Sequence, residues 1–245
     1  MRAVLITGAT SGIGRAAAVA FAALGDSVIA VGRNAERGKS IVDECASLPG
    51  GVEFFEADVT AASAAAEMVA FARRRYGRLD IACNNAGWQE PRRLLADQPF
   101  DLYSRVFDTN VGAVVRAMCA ELECMVEQRT GIIVNVGSAS AYRNPNVGLS
   151  LYSASKAAVA SLTRSAAMEY GPMGIRINLV SPGRVLTPMM AASGVGDVDA
   201  IAASLPAQRM GRPADVAHAI TWLSSENASY VFGADLRIDG GFGAT

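Results

Sequence analysis

Charge is scarce in this chain and histidine scarcer still: its 245 residues carry 22 Lys and Arg, 23 Asp and Glu, and one His. A formal net charge of −1 leaves no basic field for a polyanion, so nucleic-acid binding has no electrostatic support. Charged residues make up 18% of the chain, against the ~25% usual in soluble proteins, and mean hydropathy is +0.24. So little polar surface implies apolar area hidden between subunits, and a homodimer or homotetramer is expected. With His218 as the lone imidazole, the Ser-His-Asp and Cys-His hydrolases lose their base. Cys45, Cys83, Cys119 and Cys124 show neither C-x-x-C spacing nor a histidine cluster, which argues against a disulfide scaffold or a zinc site. Long apolar runs are missing too. The N-terminal run Ala3 to Ile6 meets Gly8, too soon for a signal core or a membrane span, so a cytoplasmic location with no membrane partner is expected.

What the chain does have is alternation. Short Val/Ile-rich runs at Ala3 to Ile6, Ser27 to Val31, Val52 to Phe55, Leu79 to Cys83, Ile132 to Val136 and Ile175 to Val180 read as buried parallel strands. Between them, Gly12 to Leu24, Ala35 to Leu48, Ala61 to Tyr76, Asp101 to Glu127 and Leu151 to Tyr170 have helical spacing. This predicts a single α/β domain over residues 1–245, a Rossmann-like doubly wound parallel sheet with ligands at the strands' carboxyl ends. The loosest stretch, with Gly194-Val195-Gly196 at its centre, lies between about residues 187 and 207. It reads as a substrate lid or, more plainly, as a surface connection.

After the first strand comes Thr7-Gly8-Ala9-Thr10-Ser11-Gly12-Ile13-Gly14, opening into a helix. Gly8 permits the tight turn, while Gly12 and Gly14 let phosphate oxygens and helix backbone approach with no Cβ between them. Free N–H groups at the helix start then suit a pyrophosphate. The spacing is not the G-x-G-x-x-G form, so the reading rests on the strand-to-helix context. Arg33, 19 positions beyond Gly14, stands where a Rossmann unit reads the ribose. An acid there would accept from a 2'-hydroxyl. With Gly32 leaving room, Arg33 instead offers a charged fork to a 2'-phosphate, favouring NADP(H) over NAD(H); a solvated surface arginine is the plainer alternative.

Ser138 follows the fifth strand, and Tyr152 and Lys156 open the next helix four positions apart, on one face. A Lys156 ammonium near the phenol would lower the Tyr152 pKa and make it a usable acid/base. Ser138 would donate to a carbonyl oxygen gathering negative charge.

Thr7 to Gly14, Asn84-Asn85-Ala86-Gly87, Asn110, Ser138, Tyr152-x-x-x-Lys156 and Pro182-Gly183 together resemble the short-chain dehydrogenase/reductase family, in its compact branch, over essentially the whole chain. The resemblance implies that Tyr152 is the acid/base, that Lys156 binds the nicotinamide ribose and tunes it, and that Ser138 orients the substrate oxygen. It assigns Asn110 to a water in the proton relay, Asp58, Val59, Asn84, Ala86 and Gly87 to the adenosine half, and Pro182, Gly183, Val185 and Thr187 to the nicotinamide end. It also matches Arg33 to an NADP-preferring arginine. Two features depart from the pattern. Ser138 and Tyr152 stand 14 positions apart, one more than usual, which keeps Ser140 as an alternative; and Ser11 replaces the basic residue that some members carry before the second glycine.

Several residues have ordinary readings beside functional ones. Trp88 and Tyr142 suit a pocket for a flat substrate or simple packing, as do Met189 and Met190. Arg73 to Arg75 complement a helix C-terminus, and His218 on a late amphipathic helix reads as a packed or surface residue. Phe242 to Thr245 fit either this subunit or a neighbour. The sequence therefore predicts an NADP(H)-dependent oxidoreductase acting on a small carbonyl or alcohol, chiefly a ketoreductase. An NAD-dependent alcohol, sterol or polyol dehydrogenase and a non-catalytic NADP(H)-sensing protein are the alternatives.

Overall fold

Along the first two strands, successive side chains serve opposite faces of one sheet. In β1 (Ala3–Thr7), Val4 and Ile6 join one core while Leu5 joins the other; in β2 (Ser27–Gly32), Val28 and Ala30 oppose Ile29 and Val31 in the same way. Both strands are buried throughout, as a sheet covered on both faces requires. The computed structural model describes residues 1–143, 147–194 and 196–244. The remaining strands are β3 (Gly51–Glu56), β4 (Ile81–Asn84), β5 (Gly131–Val136), β6 (Ile175–Pro182) and β7 (Asp235–Ile238). They form one parallel sheet in the order β3-β2-β1-β4-β5-β6-β7. The chain winds outward from β1 in one direction and from β4 in the other, so their carboxyl ends flank the switch point where such folds bind ligands.

One face carries α1 (Gly12–Ala23), α2 (Ala35–Cys45) and, from late in the chain, α9 (Pro213–Leu223), with Phe21, Ile41 and Ile220 fully buried among the strands. The other carries α3 (Ala64–Tyr76), α5 (Ala113–Gln128) and α6 (Ser150–Tyr170), packed through Met68, Leu122 and Val159. α3 stops at Gly77, whose φ of 73° lies in the left-handed region, with Arg73, Arg74 and Arg75 in the last turn, where cations suit the helix dipole.

Two predicted boundaries are corrected. The segment Asp101 to Glu127 is not one helix: α4 (Phe100–Phe107) runs into a π turn over Asp108–Gly112 before α5 begins. Thr109, Asn110, Val111 and Gly112 are weak α-formers, and wide turns of this kind concentrate at functional sites. β7 was missed because its four residues are only partly buried and form no apolar run. The region between 187 and 207 holds α7 (Pro188–Ala192) and α8 (Val198–Ser204); Val195 lies outside the described residues. Among the described residues no helix is long and apolar enough to cross a membrane, and the four cysteines are free.

Candidate active site

The glycine turn is built as its spacing requires. Gly8 and Gly12 have φ of 66° and 54°, where a side chain would strain the backbone. A Cβ at Gly8 would lie 2.9 Å from Asn85 Nδ2, and one at Gly14 only 2.4 Å from the Gly8 carbonyl oxygen. Gly14 therefore lets α1 press onto the turn from behind, and Gly8, Thr10, Ser11, Gly12 and Ile13 of the loop face the cavity, whereas Thr7 and Gly14 do not. The Asn85 amide donates to the carbonyl oxygens of Thr7 at 2.9 Å and Gly8 at 3.2 Å, while Thr7 Oγ1 accepts from the N–H groups of Asn85 and Ala86 at 3.0 and 3.1 Å. Thr7 thus binds the ends of β1 and β4 together and does not line the cavity.

Asn84 also stands elsewhere than predicted. It is buried, and its amide donates to Glu121 Oε2 and to Asn135 Oδ1, both at 3.0 Å, on the far side of the sheet end from the cavity. Strand alternation explains this, because Asn84 and Asn85 must point opposite ways and Asn85 takes the turn. Burial raises the Glu121 carboxyl to about 7.

A cavity of about 460 Å³ starts at the turn and runs along the carboxyl ends of the strands. At one end stand Arg33, Arg37, Asp58 and Val59. The Arg33 side chain is 70% exposed, with Nη1 3.4 Å from Asp58 Oδ2. Thr60 donates to Asp58 from its N–H at 2.9 Å and its hydroxyl at 2.7 Å, holding that carboxyl below its ordinary range. Gly32 does not leave the open space anticipated: a Cβ there would meet Thr10 Cγ2 at 2.6 Å. In mid-cavity, Ser11 caps α1 without a side-chain bond to its N–H groups, and Ala86 and Gly87 form the opposite wall. Bare helix-start N–H groups, a glycine cradle and cations at one end fit a dinucleotide with its pyrophosphate on α1.

The other end gathers Ser138, Tyr152 and Lys156. The Ser138 hydroxyl stands near enough to the Tyr152 phenol to favour its ionised form. Ser138 Oγ accepts from the Ser140 N–H at 3.1 Å, so Ser140 holds Ser138 in place through its backbone. Lys156, 4% exposed, donates from Nζ to the Val136 carbonyl oxygen at 2.8 Å and lies 5.8 Å from the centre of the Tyr152 ring. The expected lowering of the Tyr152 pKa is not what the structure gives. Burial raises it, the nearby Ser138 hydroxyl pulls it back, and the charge of Glu90 pushes it up again; burial also lowers Lys156 to about 8.

Asn110, fully buried in the π turn, grips Trp88: its Oδ1 accepts from the Trp88 N–H at 2.7 Å, and Nδ2 donates to the Trp88 carbonyl oxygen at 2.8 Å and to Ser155 Oγ at 3.0 Å. It stands behind the wall that Trp88 and Gly87 form. Arg105 stacks over the Trp88 ring, 3.9 Å from its centre. Beyond Tyr152, Pro182, Gly183, Val185 and Thr187 line the cavity, with Met189 and Met190 from α7, and Thr187 Oγ1 accepts from the Met190 N–H at 3.2 Å. Phe242 lines the same cavity from its own chain. Tyr142 does not; it donates to Asp239 Oδ2 at 2.8 Å. His218 is exposed on α9. Thr245, the last residue of the C-terminal end that fits either subunit, lies outside the described residues, as do residues 144–146. Sequence reasoning missed Glu90, buried in the loop after β4; it sits in a polar stretch with no local pattern.

A family model described as enoyl-(acyl carrier protein) reductase matches residues 8–243. The chain is 37% identical to the 3-oxoacyl-[acyl-carrier-protein] reductase FabG of Thermotoga maritima over 238 residues, 97% of this chain and 96% of that protein. It is equally 37% identical over 246 residues to the cis-4-hydroxycyclohexanecarboxylate dehydrogenase of Sinomonas cyclohexanicum, covering 99% and 97% of the two chains. A crystal structure of an NAD(P)-dependent gluconate 5-dehydrogenase from Beutenbergia cavernae, with NADP bound at low occupancy, superposes with a TM-score of 0.93 at 33% identity, covering all of this chain and 97% of that one. Sheet order, glycine turn and tyrosine helix therefore have full-length relatives, and the chain belongs to the short-chain dehydrogenase/reductase family of NAD(P)-binding oxidoreductases.

Proposed function

We propose that this protein is an NADP(H)-dependent ketoreductase, with Tyr152 as acid/base, Ser138 as the donor to the substrate oxygen and Lys156 as the cation behind them. The observation that carries the reading is the gathering of Ser138, Tyr152 and Lys156 at one end of the cavity that begins on the glycine turn. The dinucleotide, when bound, supplies a hydride to the carbonyl carbon or takes one from the alcohol carbon. In the reductive direction the Tyr152 phenol gives its proton to the carbonyl oxygen as the C=O bond becomes a C–O single bond. Ser138 donates to the same oxygen while its charge grows. Lys156, its ammonium oriented by the Val136 carbonyl, stabilises the tyrosinate left behind. Asn110 acts one layer back, fixing the backbone of Trp88 and so the wall facing Tyr152.

Gly8, Ser11, Gly12 and Ile13 would hold the pyrophosphate; Asp58, Val59, Ala86 and Gly87 the adenosine half; Pro182, Gly183, Val185 and Thr187 the nicotinamide end. Arg33, with Arg37 beside it on the cavity, supports NADP(H). NAD(H) is the second reading, favoured by the approach of Arg33 to Asp58, which gives the guanidinium an anion of its own. The bound NADP of the Beutenbergia cavernae structure and the reductase named in Thermotoga maritima lend weight to the first; the Sinomonas dehydrogenase shows the oxidative direction among relatives. α7 and α8, with α7 on the cavity, serve as the lid. Exposed Tyr230, Met168 and Phe100 are the apolar surface of a homodimer or homotetramer, working in the cytoplasm.

Cofactor titration tests the preference. NADPH binds more tightly than NADH, and Arg33→Asp lowers the NADPH/NADH affinity ratio by ~10- to 100-fold, the loss of one charge-assisted hydrogen bond to a phosphate. An unchanged ratio removes Arg33 from the phosphate site.

A further inference from the structure

α6 begins without a cap of its own. The residue before Ser150 is Leu149, which has no side-chain acceptor, so the first N–H groups of the helix that carries Tyr152 and Lys156 need partners from elsewhere. One partner comes from 62 positions away. Both carboxylate oxygens of Glu90 accept from the Tyr152 N–H, at 3.0 and 3.1 Å. Glu90 is 1% exposed, and among the described residues no cation pairs with it. Burying a carboxylate without a counter-ion is costly, and a serine or aspartate at position 149 would cap the helix locally for far less. What a local cap would not supply is a fixed tie between the loop after β4 and the start of α6.

We propose that Glu90 is a positioning residue for Tyr152: its buried carboxylate, steadied by the positive end of α6, fixes the first turn of that helix against the cavity and places a carboxylate beside the acid/base. The inference rests on the reading of Tyr152 as that acid/base. Ser138 from beyond β5 and Lys156 from its own helix stand at the phenol's end of the cavity, Glu90 from the loop after β4 lies at the Tyr152 backbone N–H, and Arg92 and Arg184 stand on the same cavity. The charge of Glu90 opposes formation of tyrosinate, so it keeps Tyr152 in the proton-donating form to higher pH and biases the site toward reduction.

The test is the pH profile of kcat/KM for oxidation of a secondary alcohol that the enzyme turns over, measured on wild type, Glu90→Gln, Glu90→Asp and Tyr152→Phe. Oxidation needs the deprotonated phenol, so its rate rises with pH through the tyrosine's titration. Glu90→Gln keeps an oxygen for the Tyr152 N–H and removes the charge, and its rising limb moves about one to two pH units lower, as expected for a unit charge roughly 6–12 Å away at an effective dielectric near 20. Glu90→Asp keeps the charge, so its limb stays near that of wild type even where kcat falls. A Glu90→Gln limb that does not move, or an equal shift in Glu90→Asp, overturns the inference. Should Tyr152→Phe retain the wild-type rate, the reading of Tyr152 itself fails, a result distinct from the other two.

Discussion

Replacing Glu121 by glutamine should make the protein more stable at pH 8 and leave it nearly unchanged at pH 5. Glu121 is fully buried on α5; Oε2 accepts from Asn84, and Oε1 meets no donor among the described residues. Burial raises its carboxyl from 4.5 to about 7. Between those values the folded chain holds a proton that the unfolded chain has released, so stability falls as pH rises across the window and the loss is complete above about 7. At 1.36 kcal/mol per unit, the charged form costs the wild type on the order of 3 kcal/mol. The substituted glutamine would keep an oxygen for Asn84 but place an amide N–H₂ where Oε1 stands, giving back ~1 kcal/mol for a buried donor without a partner. The net gain at pH 8 is about 2 kcal/mol, an increase in Tm of roughly 4–8 °C for a chain of this size. Thermal melts of wild type and Glu121→Gln at pH 5, 6.5 and 8 measure it. Equal Tm differences at all three pH values would refute the argument, because they would mean that Glu121 carries no pH-dependent penalty.

Gly14→Ala places a Cβ 2.4 Å from the Gly8 carbonyl oxygen and 2.5 Å from Asn85 Nδ2; we expect a loss of ~2 kcal/mol in stability together with weakened dinucleotide affinity, read by melts and by cofactor titration. Asn110→Ala frees both backbone groups of Trp88 and leaves them without partners; kcat should fall by ~10-fold or more with cofactor affinity little changed, as steady-state kinetics and NADPH titration would show.

The parts of the fold that could be read from sequence are those where local pattern and tertiary role coincide. β1 and β2 are short apolar runs because both faces are covered, and the glycine turn is recognisable because Gly8 and Gly14 meet a steric demand made by close neighbours and Gly12 a left-handed backbone. Ser138, Tyr152 and Lys156 were legible for a related reason: helix periodicity alone puts the last two on one face, and the end of β5 brings the first to them. What stayed hidden depends on partners distant in sequence. The π turn at Asp108–Gly112 exists so that Asn110 can reach Trp88 and Ser155, contacts that no window around residue 110 contains. Asn84 and Asn85 look interchangeable until strand alternation sends one to Glu121 and the other to the glycine turn. The Lys156 expectation erred because spacing fixes a helical face but not depth, and depth sets the desolvation that governs both Tyr152 and Lys156. Glu90 was missed for a similar reason, as a glutamate in a polar loop gives no sign of being buried.

The most direct test of the account is the single substitution Tyr152→Phe, with kcat/KM for NADPH-dependent ketone reduction and the dissociation constant of NADPH measured on the same preparations. Removing only the phenolic hydroxyl takes away the proton donor while keeping the ring and the helix, so the account predicts a fall in kcat/KM of ~10²- to 10⁴-fold with NADPH affinity within about threefold of wild type. Turnover within tenfold of wild type would contradict the assignment of Tyr152, and with it the chemistry built on Ser138 and Lys156.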